Sequence, residues 1–132
     1  MPEVAGLHAI TDQLIELSSE MRDNDKEFWL KFKTILPAIP LRDTESGKAL
    51  APAEKYARKG NRENPELYGV FPFRHIAVGK PNLELGLNAL KHRWNRGAYG
   101  WYQSSIFMAY LGLADQAQAN IIKRAKNSNK NS

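Results

Sequence analysis

The sequence predicts an all-α fold built from helical hairpins, and three observations predict it. Apolar residues recur three and four positions apart in five stretches of the chain. Helix-starting and helix-stopping residues stand between those stretches: Asp23-Asn24-Asp25, Pro37, Pro40, Asn82 and Gly112. The run at 64–79 is rich in aromatic and β-branched residues, but Pro65, Gly69, Pro72 and Gly79 cut it. That punctuation excludes a central strand and fits an ordered, partly buried loop with a short helical or extended piece.

In the first stretch, Leu7, Ile10, Leu14, Leu17 and Met21 form one stripe of a helix ending near Arg22. Asp12, Gln13, Glu16, Ser19 and Glu20 fall mostly off the stripe, so this is the face expected to pack. His8 sits beside it and reads as a part-exposed helix residue. Asn24 with Glu27 three residues on suits a cap, and a second helix follows from about Lys26 to Leu36. Its apolar face is Phe28, Trp29, Phe32, Ile35 and Leu36, and Pro37 stops it. A short turn between two such helices makes an antiparallel pair.

From Pro37 to Glu63 the periodicity lapses, leaving a long irregular loop between the second and third helices. Within it, Asp43 to Lys48 reads as a tight polar turn or small hairpin tip. Arg58, Lys59 and Arg62 form either an anion clamp or a solvated basic loop. Helical spacing resumes through Leu83, Leu87, Leu90 and Trp94, with Asn82 as cap. A further helix over about Trp101 to Leu111 is apolar nearly all round and therefore buried. Asp115 caps a last helix with Ala117, Ile121 and Ala125 inward, and Lys123, Arg124 and Lys126 suit its C-terminal end. Residues 1–126 thus form one domain and 127–132 a disordered tail.

The chain has 132 residues, 42% hydrophobic and 25% charged, which is the composition of an ordinary globular domain. No run approaches the ~20 apolar residues that span a bilayer, and the first residues do not read as a signal peptide. With no cysteine, thiol nucleophiles, disulfides and cysteine-bound zinc are excluded. Charge is unevenly divided: residues 1–50 carry 9 acids and 6 bases, residues 51–132 carry 5 acids and 13 bases. A basic half attracts acidic partners, but no helix-turn-helix, zinc-finger or RNA-binding pattern points to nucleic acid.

No HExxH, GxSxG or P-loop motif occurs, and His8, His75 and His92 are scattered, so no metal, cofactor or catalytic residue is assigned. Sugar chemistry uses paired carboxylates, for which Glu54, Glu63, Glu66 and Glu84 are the candidates beside surface solvation. The 64–79 loop is the best functional candidate. Tyr68, Arg74 and His75 combine flat faces with hydrogen-bonding ends, whereas Phe71 and Phe73 fill the core. Trp101, Tyr102 and Gln103 offer a second wall. The candidate substrate-binding set is Glu66, Tyr68, Arg74, His75, Trp101 and Gln103.

The segments Asn64-Pro65-Glu66-Leu67-Tyr68-Gly69-Val70-Phe71-Pro72, Gly79-Lys80-Pro81, Gly100-Trp101 and Tyr110-Leu111-Gly112-Leu113-Ala114-Asp115 resemble the C-terminal part of bacterial glycoside hydrolase catalytic domains. The similarity is to family 95, the α-L-fucosidase-like enzymes, and their uncharacterised relatives. It implies that residues 1–36 and 83–126 are helices of an (α/α)6 toroid and that a carbohydrate is the ligand. It also implies a parent protein exported to the periplasm or beyond. At ~10–14 residues per helix the chain holds only part of such a toroid, so it is expected to be a fragment or a small relative. The resembling enzymes carry a catalytic Asp shortly before the Gly-Trp pair, and Lys91 to Gly112 contains no carboxylate. The reading that follows is a carbohydrate-binding portion inactive alone, exposing an apolar edge and self-associating. Its alternative is a helical module that binds an acidic partner through its basic half.

Overall fold

The computed structural model describes residues 1–20, 25–57, 63–98 and 102–128. Five helices occur among them: α1 (Pro2–Glu20), α2 (Lys26–Ile35), α3 (Leu83–Lys91), α4 (Ser104–Tyr110) and α5 (Ala114–Ser128). Between α2 and α3 come two antiparallel strands, β1 (Leu41–Thr44) and β2 (Gly47–Leu50), and a 3-10 helix at Pro65–Gly69. The fold is therefore not all-α. It is a helical fold carrying a two-stranded hairpin, and this corrects the expectation of helical hairpins alone as parts of a toroid.

The hairpin forms in a stretch with no alternating apolar pattern. Leu41 pairs with Leu50 and Thr44 with Gly47, so Glu45 and Ser46 make a two-residue turn. Gly47 supplies the positive φ of 106° that the turn requires. An isolated hairpin this short is marginal in water. Here it is held from outside: the Asn88 side-chain amide on α3 donates to the Ser46 and Lys48 carbonyls at 3.1 and 2.9 Å. Ala49 and Leu50 are buried against the same helix. Tertiary packing, invisible to local periodicity, fixes these strands.

The core gathers Leu50, Leu67, Val70, Ile76, Ala89, Leu90, Phe107 and Leu111. Its centre is the 64–79 segment, with the 3-10 helix touching α1, α3 and β2. A buried segment without regular structure must satisfy its own backbone. It does so by turns: Val70 and Phe71 N–H donate to the Leu67 carbonyl, and His75 and Ile76 N–H both donate to Gly69. The Phe71–Pro72 peptide is cis.

α1 lies on this segment through small residues. Gly6 meets the Phe73 ring, where a Cβ would sit 3.1 Å from Cζ, and the other buried residues of α1 are Ala5, Thr11 and Ser18. That close approach turns the large residues outward. Leu7, Ile10 and Leu17, expected to pack, are exposed, Ile10 by 57%; Met21 and Arg22 lie outside the described residues. α2 pairs with α1 through Lys33–Asp12 at 2.6 Å but buries no residue fully, and Ile35 is 74% exposed. Asp25 and Asn82 stand at the N-caps of α2 and α3 without a side-chain cap bond; Asn24 lies outside the described residues. α5 turns Ala117 inward onto α4, leaving Ile121 and Ala125 in solvent. It runs to Ser128, and the rest of the tail lies outside the described residues. No helix among the described residues is long and apolar enough to cross a membrane.

Gly86 is where α3 meets the core most closely. A Cβ there would stand 2.6 Å from Leu111 Cδ2 and 2.9 Å from Ile76 Cγ2. Replacing helical Gly by Ala gains about 1 kcal/mol of propensity, whereas overpacking costs about 1–3 kcal/mol. Gly86→Ala is expected to lower unfolding stability by about 1 kcal/mol in urea titration. A stabilised variant would show that α3 is free to move off the core.

Candidate functional site

The residues after α3 gather the polar and aromatic chemistry of the molecule. Segment 92–97 has no regular structure, and its side chains alternate between two environments. Arg93 and Asn95 reach inward, whereas Trp94 points out and is 46% exposed.

On the outer side, Trp94 and Tyr56 meet edge to face with ring centroids 5.6 Å apart. Tyr56 is 41% exposed. The Arg42 guanidinium lies over the Trp94 ring, 5.1 Å from its centroid. A cation–π contact at an exposed site contributes only about 0.5–1 kcal/mol, too little to hold this geometry alone. The backbone holds it instead: Arg42 donates to the His92 carbonyl at 3.0 Å and to the Leu50 carbonyl at 3.4 Å. The hairpin tip is tied to the same place, with Lys91 Nζ donating to Ser46 Oγ at 2.7 Å and Ser46 Oγ hydrogen-bonded to His92 Nε2 at 3.0 Å. The hairpin therefore positions Arg42, which in turn braces Trp94.

On the inner side, Asn64 clamps Asn95 by two bonds. Its amide donates to the Asn95 carbonyl at 3.0 Å, and its Oδ1 accepts from the Asn95 N–H at 3.2 Å. Asn95 donates onward to the Tyr102 hydroxyl at 3.0 Å, and Arg124 donates to the Tyr102 carbonyl at 3.0 Å. Gly97 is required here, since a Cβ would stand 2.8 Å from the Tyr102 ring. Arg93 donates to the Leu90 carbonyl. Burial first, and then Arg96, pull its pKa below the usual arginine value, while the Glu66 carboxylate opposes them.

The structure separates the residues that the sequence singled out. Glu66 is fully buried in the 3-10 helix, where its charge acts on Arg93. Tyr68 donates to Glu63 Oε2 at 2.7 Å; that bond, with burial and the negative charge of Glu63, holds its pKa above the ordinary tyrosine value. Arg74, at φ 51°, lies over the Tyr110 ring. His75 Nε2 donates to the Ala5 carbonyl at 2.8 Å, tying the loop to α1. Gln103 stands at the N-cap of α4 without a side-chain cap bond. Trp101, like Arg58, Lys59 and Arg62, lies outside the described residues. Glu66 thus acts on Arg93 of the 92–97 segment, while His75 meets α1, Arg74 meets α4, and Tyr68 meets Glu63 and Phe73.

Sequence reasoning did not find Trp94, Tyr56 and Arg42 as a set. Trp94 fits the apolar spacing of α3, but the helix stops at Lys91. The available signal was composition: Trp94 stands between Arg93 and Arg96, and Tyr56 follows Lys55. An aromatic flanked by cations suits a half-exposed position better than a core. Chemically, the set offers two aromatic surfaces beside a guanidinium. Glu66 has no exposed surface, and Lys91 to Gly112 holds no carboxylate. Among the described residues, no group of three histidines or carboxylates could hold a metal ion.

Asn64→Ala removes a buried side chain that satisfies two backbone groups of Asn95. Leaving buried groups unpaired costs about 1–3 kcal/mol, so a loss of about 2 kcal/mol in urea unfolding is expected. An unchanged midpoint would mean that segment 92–97 is held by other contacts.

Compared with protein-family models, curated proteins and solved structures, the chain matches none of them.

Proposed function

We propose that this chain is the carbohydrate-binding, C-terminal portion of a glycoside hydrolase-like protein and has no hydrolytic activity alone. The observation that carries the reading is the exposed Trp94–Tyr56 pair braced by Arg42. Pyranose rings present apolar C–H faces, and aromatic surfaces beside hydrogen-bond donors are what such rings require. The motifs between Asn64 and Asp115 support the same ligand class by resemblance. Hydrolysis needs two carboxylates about 5–10 Å apart across the bond; the rest of the parent protein would have to complete that pair.

The second reading is binding of an acidic partner through the basic half. It is favoured by Arg42 over the Trp94 ring and by Lys91 and Arg96, three and two positions from Trp94 in the chain. Salt separates the two. Contacts with a polyanion weaken steeply between about 50 and 200 mM salt, whereas stacking on a neutral sugar does not.

The test is calorimetric titration of the chain with a panel of neutral and acidic oligosaccharides, alongside Trp94→Ala. A neutral glycan is expected to bind with salt-independent affinity, and Trp94→Ala to weaken it at least about tenfold, or 1.4 kcal/mol. Aryl-glycoside cleavage is expected to stay at the buffer rate. Binding that Trp94→Ala leaves unchanged, or no binding across the panel, would refute the sugar reading.

A further inference from the structure

We propose that Ser46 is a phosphorylation site whose phosphate Lys91 and His92 hold at the end of α3. The inference is independent of the carbohydrate reading and starts from where the surface hydroxyls of the chain are spent. Ser19 donates to the Ile15 carbonyl, Thr34 to the Lys31 carbonyl and Thr44 to the Gly47 carbonyl, each at 2.7 Å. Such local bonds tie a hydroxyl to the backbone of its own element. Ser46 differs. Its Oγ stands between two side chains forty-five and forty-six residues away, with Lys91 Nζ at 2.7 Å and His92 Nε2 at 3.0 Å. Ser46 is also exposed, in the two-residue turn of the hairpin, where a protein kinase reaches it without opening a helix or strand.

The surroundings suit a phosphate. The C-terminal end of a helix repels anions through its carbonyls, but here guanidiniums cover them: Arg93 donates to the Leu90 carbonyl, Arg96 to that of Lys91 and Arg42 to that of His92. Of the acids in the 43–48 turn, Asp43 is paired with Lys48 at 2.8 Å, and Glu45 is the other. In the transfer, Ser46 Oγ forms a bond to the γ-phosphorus of a nucleoside triphosphate. The bond to the diphosphate leaving group breaks, and the kinase takes the hydroxyl proton. The new phosphate oxygens lie one atom beyond Oγ, so Lys91 and His92, already at hydrogen-bond distance from Oγ, meet them by small side-chain rotations. The resulting charge-assisted bonds are stronger than bonds to a hydroxyl. They fasten the hairpin tip to α3 at the point that Asn88 also holds.

The test uses the full chain with phosphoserine installed at position 46 during synthesis. Phosphorus NMR is expected to show the phosphate titrating about half a pH unit or more below its ordinary value of about 6, because the neighbouring ammonium favours the dianion. Above about pH 6 the urea midpoint is then expected to exceed that of the unmodified chain, a gain that fades as the pH falls through the lowered value. Lys91→Met with His92→Gln is expected to abolish both effects, with circular dichroism checking that the variant folds. Peptide mapping of the chain from the cells that make it is expected to place a phosphate within 43–48 on Ser46. A phosphate that titrates like free phosphoserine, or a midpoint that does not rise, would overturn the proposal. So would a native 43–48 peptide that carries no phosphate or carries it on Thr44.

Discussion

The burial of a non-repetitive segment at the centre of the molecule is the constraint on which the other elements depend. Leu67 and Val70 are fully buried within 64–79, yet the segment lies outside any α-helix or sheet. Its backbone polar groups would each cost free energy if left unpaired, so tight turns pair them internally. Val78 extends the system by donating to the Tyr110 carbonyl on α4 at 2.9 Å. His75 does the same toward α1. Helices and hairpin therefore dock onto a hydrogen-bonded plug as well as on one another, α2 on α1 and α5 on α4.

This arrangement explains why so many large apolar side chains face solvent. The plug meets α1 through Phe73, whose ring lies against Gly6, and through His75, which bonds the Ala5 carbonyl and meets the His8 ring edge to face. The leucine stripe of the same helix then looks outward, and α2, which packs chiefly on α1, buries none of its own residues fully. Exposed apolar patches of this kind mark association surfaces in soluble proteins.

Local periodicity made α2, α3 and α5 legible in the sequence to within a few residues, because their apolar spacing and stop signals agree. It misjudged which face of α1 is inside. A stripe of Leu and Ile is the ordinary sign of a core, whereas here close backbone approach selected Ala and Gly instead. The hairpin was legible as a polar turn or small hairpin tip at 43–48 but not in its strands, which alternate poorly and are tied to Asn88, forty residues away. The candidate site shows the same limit. Glu66 and Tyr68 were named from the aromatic loop, but the pairing of Trp94 with Tyr56 and Arg42 joins three distant parts of the chain. No spacing rule connects them.

Amide hydrogen exchange across residues 64–79 tests the central claim most directly. If the segment is the plug around which the fold closes, the amides of Val70, Phe71, His75, Ile76 and Val78 exchange only through global opening. Their protection would then equal that of Ala89 and Leu90 in α3. Exchange on the timescale of the exposed hairpin turn at Glu45 and Ser46 would contradict this. The helices would then hold the molecule together with the segment merely lying between them.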